Sequence, residues 1–240
     1  GTVVTVLDGI RQKVSKETRV LYAKGCAVRD SSRTGFKDAI ETARNADAVV
    51  MVMGGSSARD FSSEYEETGA AKVTINQISD MESGEGYDRA TLHLMGRQLE
   101  LLEEISRLGK PVVLVLIKGR PLLMEGAIQE AEAIVDAWYP GMQGGNAVAD
   151  VLFGDYNPAG RLTLSVPRSV GQLPVYYNTR RKGNRSRYIE EPGTPRYPFG
   201  YGLSYTTFSY TDMKVHVNDG RDDCRVHVTV AIPNQGTADG

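Results

Sequence analysis

The run Pro111-Val112-Val113-Leu114-Val115-Leu116-Ile117 constrains this chain more than any other stretch. It carries no polar side chain and consists of Val, Leu and Ile after its proline, so it reads as a strand buried on both faces. Such a strand needs a covering layer on each side, and the neighbouring patterns supply helices. Val6, Leu7, Ile10 and Val14 recur at helical spacing, as do Phe36, Ile40 and Ala43, a short helix ending near Asn45. Leu101, Leu102, Ile105 and Leu108 form one face of a further helix, which Gly109 and Pro111 stop. Ala147, Val148, Val151 and Leu152 mark another, ending at Gly154. Strands are expected at Arg19–Ala23, at Ala48–Met53 (which runs into Gly54-Gly55), at Ala133–Trp138 and at the alternating Leu162, Leu164 and Val166. Strands alternating with helices imply an α/β fold with a mostly parallel sheet sandwiched by helices over residues 1–166. The chain opens on a helix pattern where such a domain would begin with a strand, so its first strand is expected to be missing.

Residues 167–207 change character. They are rich in Pro, Gly, Tyr and Arg, and are expected to form an ordered linker that Tyr201 and Tyr205 anchor. Over 208–240 the period becomes two, through Phe208, Tyr210, Val215, Val217, Val226, Val228 and Val230. This predicts a partial antiparallel β segment that ends too early to close a sandwich.

A net charge of −2 argues against a nucleic-acid surface. No apolar run approaches the ~20 residues of a membrane span. Cys26 and Cys224 lie far apart and read as isolated thiols. With three histidines in the chain, no metal site and no cofactor are expected. Gly54-Gly55-Ser56-Ser57 follows a strand but lacks the spacing and the lysine of a nucleotide-binding loop.

The chemistry-bearing stretch is Glu82-Ser83-Gly84-Glu85-Gly86-Tyr87-Asp88-Arg89. It gathers three carboxylates and an arginine, with a glycine on each side of Glu85. It follows the Ala48–Met53 strand, and catalytic groups of α/β folds sit on loops beyond the carboxyl ends of strands. The competing reading is a solvated polar loop with one surface ion pair. Glu64, Glu66 and Glu67 read as a solvated face of the same long segment.

Four motifs, in order, give a specific resemblance. The Ser83–Arg89 loop, Trp138-Tyr139-Pro140-Gly141 with Gly144–Gly154 after it, Asn157-Pro158-Ala159-Gly160-Arg161-Leu162, and the Tyr197–Tyr205 run resemble glycoside hydrolase family 3, the β-glucosidase and β-xylosidase family. The resemblance covers about residues 1–210, and residues 208–240 resemble the start of the family's fibronectin-III-like domain. It implies a (β/α)8-type barrel that carries the aspartate nucleophile, followed by this α/β sandwich, which supplies the general acid/base on a loop over the barrel's pocket. Glu85 matches that acid/base position. Retaining hydrolysis needs two carboxyl groups roughly 5–5.5 Å apart, one attacking the anomeric carbon and the other protonating the leaving oxygen.

On this reading Glu85 is the catalytic group, and Glu82, Tyr87, Asp88 and Arg89 bind substrate or brace the loop. Glu82 is a rival acid/base, expected to point into water. Tyr87 is a candidate for stacking on a sugar ring. Expected partners are β-linked glucosides or xylosides and the barrel domain, with a homodimer also in view. The parent enzyme is expected to be periplasmic or secreted, and this piece alone to be inactive. The β-glucosidase reading is favoured, β-xylosidase is the alternative, and a non-catalytic sugar-binding or assembly module is the reading from another class.

Overall fold

The structure, a computed structural model, describes residues 2–57, 66–69, 80–84, 88–123, 125–178, 188–219 and 224–239. Within them the helices are α1 (Val6–Lys13), α2 (Phe36–Arg44), α3 (Gln98–Ser106), α4 (Ala127–Glu130) and α5 (Gly144–Leu152). The strands are β1 (Val49–Gly54), β2 (Val112–Ile117), β3 (Ala133–Asp136), β4 (Thr211–Asp219) and β5 (Cys224–Ala231). β1, β2 and β3 form a parallel sheet in that order, with Met51 opposite Leu114 and Leu114 opposite Ile134.

The apolar run Val112–Ile117 is the central strand, and both its faces are covered. Leu114 and Leu116 pack with Met51 and Met53 against Phe36 and Ala39 of α2 and Leu102 and Ile105 of α3. Val115 faces the other way, against Val6 of α1 and Val148 of α5. Thr5 and Asp8 close a capping box at the start of α1, which satisfies two otherwise orphaned amides. α3 stops before Gly109, whose φ is +68°, as its sequence requires.

Two expected strands are absent. Residues 19–23 make no ladder with any strand. A strand exists only through a neighbour, and the sheet offers none there: β1 pairs with β2 alone among the described residues, and Val50 and Val52 on it are 39% and 49% exposed. Leu162, Leu164 and Val166 pack on the first core but do not join the sheet. Instead the 162–166 run pairs with the 196–201 run: Val166 N–H donates to Tyr197 O at 2.8 Å, and Gly200 N–H to Leu162 O at 2.7 Å. Pro167 and Pro198 limit the pairing to these short contacts.

The described residues of the 167–207 segment are ordered by specific bonds. Gln172 is buried and donates to Pro192 O at 3.0 Å. Tyr205 hydroxyl donates to Val151 O at 2.5 Å, and Tyr201 packs its ring on Tyr197. β4 and β5 form the expected antiparallel pair, with Val215 opposite Val228. Cys26 is a free, half-buried thiol. No described helix is long and apolar enough to cross a membrane.

Candidate active site

The acidic segment is tied to the carboxyl end of β1. Gly54 exchanges two hydrogen bonds with the buried Gln98 side chain at the start of α3: its N–H donates to Oε1 at 2.8 Å, and its carbonyl accepts from Nε2 at 2.9 Å. Beyond it, Ser56 forms a parallel bridge with Met81, and Glu82 N–H donates to Ser56 O at 2.8 Å. Residues 81–82 are therefore pinned to Ser56, two residues past the end of β1.

The sequence reading has Glu82 pointing into water; the structure buries it instead. Its side chain is 1% exposed, and its Oε2 accepts from Arg89 Nη1 at 2.6 Å; the Arg89 side chain is 2% exposed. The cause is the missing side chain at Gly55. A Cβ there would lie 1.9 Å from Glu82 Oε1, so only glycine leaves room for the carboxylate. Arg89 also donates to His93 O, and its Nε has no partner among the described residues. Burial lowers the Arg89 pKa, and the Glu82 carboxylate opposes that effect.

Asp88 is exposed and makes a different contact, accepting from Arg120 Nη1 at 2.9 Å. It also accepts from Arg89 N–H at 2.7 Å. The hydrogen bond from Arg120 holds the Asp88 carboxyl below the usual aspartate value. The structure thus brings Glu82, Asp88 and Arg89 together. Glu85 and Tyr87, with Gly86, lie outside the described residues, as does Glu64; Glu66 and Glu67 are exposed.

Sequence reasoning missed a second cluster at the carboxyl ends of β2 and β3. Lys118 is 1% exposed and donates from Nζ to Asp136 Oδ2 at 2.8 Å, with the Trp138 ring centroid 4.0 Å away. Burial lowers the Lys118 pKa, and Asp136 pulls it back up. Asp136 Oδ1 is buried without a hydrogen-bond partner among the described residues. Beside the cluster, Tyr139 hydroxyl accepts from Ser57 N–H at 3.0 Å. The available signal was positional: a lysine directly after one apolar strand, and an aspartate ending the next, both at the carboxyl edge where α/β folds bind ligands. No group of three His, Cys, Asp or Glu side chains among the described residues is arranged to hold a metal ion.

Fold and site define an α/β domain that presents a braced acidic loop at the carboxyl edge of a parallel sheet. The chain belongs to glycosyl hydrolase family 3: the Glycosyl hydrolase family 3 C-terminal domain matches residues 1–205. A β-xylosidase of Formosa agariphila is 41% identical over 99% of this chain and 30% of its own length. A periplasmic β-glucosidase of Salmonella typhimurium is 38% identical over 99% of the chain and 32% of its own. Among solved structures, the β-glucosidase EmGH1 from Erythrobacter marinus superimposes with a TM-score of 0.78 at 36% identity, over 98% of this chain and 32% of that one. The Listeria innocua β-glucosidase bound to isofagomine gives 0.76 at 29% identity, over 99% and 31%. The chain thus spans about a third of the length of these relatives.

Proposed function

We propose that this chain supplies the general acid/base of a retaining exo-β-glycosidase acting on terminal β-D-glucosides, and that Glu85 is that group. The observation that carries the proposal is the double anchoring of its loop. Glu82 is locked to Arg89 inside the protein, and Asp88 is held by Arg120. In the sequence Glu85 stands three positions from each anchor, so the anchors bound a short segment that contains it. An unbraced surface loop has no use for a buried arginine. Glu82, Asp88 and Arg89 are the braces, and Glu82 is spoken for as the partner of Arg89 rather than as a free acid. Tyr87 flanks the sugar. The aspartate nucleophile comes from a barrel domain outside these residues.

The same reading divides the chain into the α/β sandwich (1–166), the linker (167–207) and the first part of a fibronectin-III-like domain (208–240). A β-xylosidase remains the second reading, because the 41% identical relative bears that name. The β-glucosidase titles of the solved relatives favour glucosides. The test is azide rescue in the complete enzyme. Glu85→Ala should lose most of its kcat on an activated aryl glucoside, because the glycosyl–enzyme then lacks the base that activates water, and added azide should restore kcat with a β-glycosyl azide as product. Full activity without azide contradicts the assignment.

A further inference from the structure

We infer that Tyr139 is a fixed aromatic platform for the pyranose ring of the leaving group; this rests on the acid/base reading above and extends it to substrate binding. Three observations carry it. First, the ring is immobilised on one side only. A Cβ at Gly119 would fall 2.6 Å from Tyr139 Cε2 and 3.0 Å from Cζ, so the ring lies directly on the Gly119 backbone. Its hydroxyl is held by Ser57 N–H at 3.0 Å. Yet the residue remains 49% exposed. A ring that is already ordered loses little freedom when a ligand covers it, and its apolar face suits the C–H face of a sugar.

Second, the backbone is held in an uncommon shape to put the ring there. Trp138 has φ +52°, a left-handed conformation that bulky residues rarely adopt. Lys118 N–H donates to Trp138 O at 3.2 Å, and the Trp138 ring turns back onto the Lys118 ammonium. The next residue, Tyr139, is thereby sent across Gly119 toward β1. Strain of this kind concentrates where ligands are clamped.

Third, the ring adjoins the acid loop. The Ser57 residue that binds its hydroxyl also abuts Gly84: a Cβ at Gly84 would lie 3.6 Å from Ser57 O. Gly84 directly precedes Glu85. On the acid/base reading the segment that Gly84 enters carries the group that protonates the departing oxygen, so a ring at its described end is assigned to the leaving sugar rather than to the one under attack.

The test compares Tyr139→Ala, Tyr139→Leu and Tyr139→Phe in the complete enzyme. The readout is the ratio of kcat/KM for a glucose disaccharide to that for β-glucosyl fluoride, which has no leaving sugar. Loss of the ring should lower the ratio about fivefold to tenfold. Phe, which keeps the ring and drops the hydroxyl, should hold the ratio within about twofold. If Ala does not fold, Leu carries the same comparison. Equal losses on both substrates, or a Phe variant as impaired as Ala, would overturn the platform and leave Tyr139 as packing or as a brace for Ser57. Glu85→Ala measured alongside reports separately on the acid: intact disaccharide hydrolysis there defeats the acid/base reading, whereas only the ratio decides Tyr139.

Discussion

Arg89 closes on Glu82 at 2.6 Å with both side chains almost wholly removed from solvent. Six residues separate them in the sequence, and Glu85 is among these. Removing one partner of a buried pair strands the other charge. Arg89→Met should therefore destabilise the domain by roughly 3–5 kcal/mol, and the double variant Arg89→Met/Glu82→Leu by clearly less. Urea unfolding of wild type, Arg89→Met, Glu82→Leu and the double variant measures the coupling. Equal stability of Arg89→Met and wild type would mean that the pair braces nothing.

Gly55 makes the second prediction. A methyl group there would collide with Glu82 Oε1 at 1.9 Å and Cδ at 2.1 Å, and the carboxylate cannot retreat without leaving Arg89. Gly55→Ala should cost about 1–3 kcal/mol through overpacking. In the complete enzyme it should also lower kcat, because the loop's anchor moves. Calorimetry with parallel kinetics checks both; a neutral Gly55→Ala would show that the carboxylate has room elsewhere.

These two residues also mark where the sequence was legible and where it was not. Apolar periodicity identified β1, β2, β3 and the helices that cover them, because burial on both faces leaves a direct imprint on residue type. It failed at 19–23, which has a strand's composition but no neighbour to pair with, and at 162–166, which finds its partners in the 196–201 run. Pairing is a property of two segments, and a pattern within one does not reveal it. Glu82 illustrates the same limit in the site. A glutamate in an acidic string looks solvated, and only the juxtaposition of Gly55 and Arg89 turns it inward. The acidic loop itself was recognisable from its motif, whereas Lys118 and Tyr139 acquire their roles from the strand ends that surround them.

Asp88 predicts a pH dependence. Its folded-state pKa is held below the ordinary 3.8, chiefly by the hydrogen bond from Arg120. A depressed carboxylate contributes stability above its unfolded pKa and loses it as pH falls through the folded one. The difference in Tm between wild type and Asp88→Asn should therefore be constant at neutral pH and shrink below about pH 4. A difference that instead grows with acidification contradicts the pairing with Arg120.

Lys118 predicts the opposite limb. Burial lowers its folded-state pKa beneath the ordinary 10.5. The unfolded chain then binds the proton more tightly than the folded one, so this group's contribution to stability rises as pH climbs from the folded value toward 10.5. Asp136→Asn removes the counter-charge 2.8 Å away and should extend that rise to lower pH. Unfolding free energies across the alkaline range test it; identical slopes for wild type and Asp136→Asn would remove the pair from the account.

The most direct test of the central claim is the dependence of kcat/KM on leaving-group pKa in the complete enzyme, with and without the Glu85 carboxyl. A general acid protects poor leaving groups. Glu85→Ala should therefore keep near wild-type kcat/KM on a dinitrophenyl glucoside but lose about 10²–10⁴-fold in kcat/KM on cellobiose, with a steep dependence between them. Unaltered hydrolysis of cellobiose by Glu85→Ala, or the same loss across the whole series, would contradict the delivery of a proton donor by this loop.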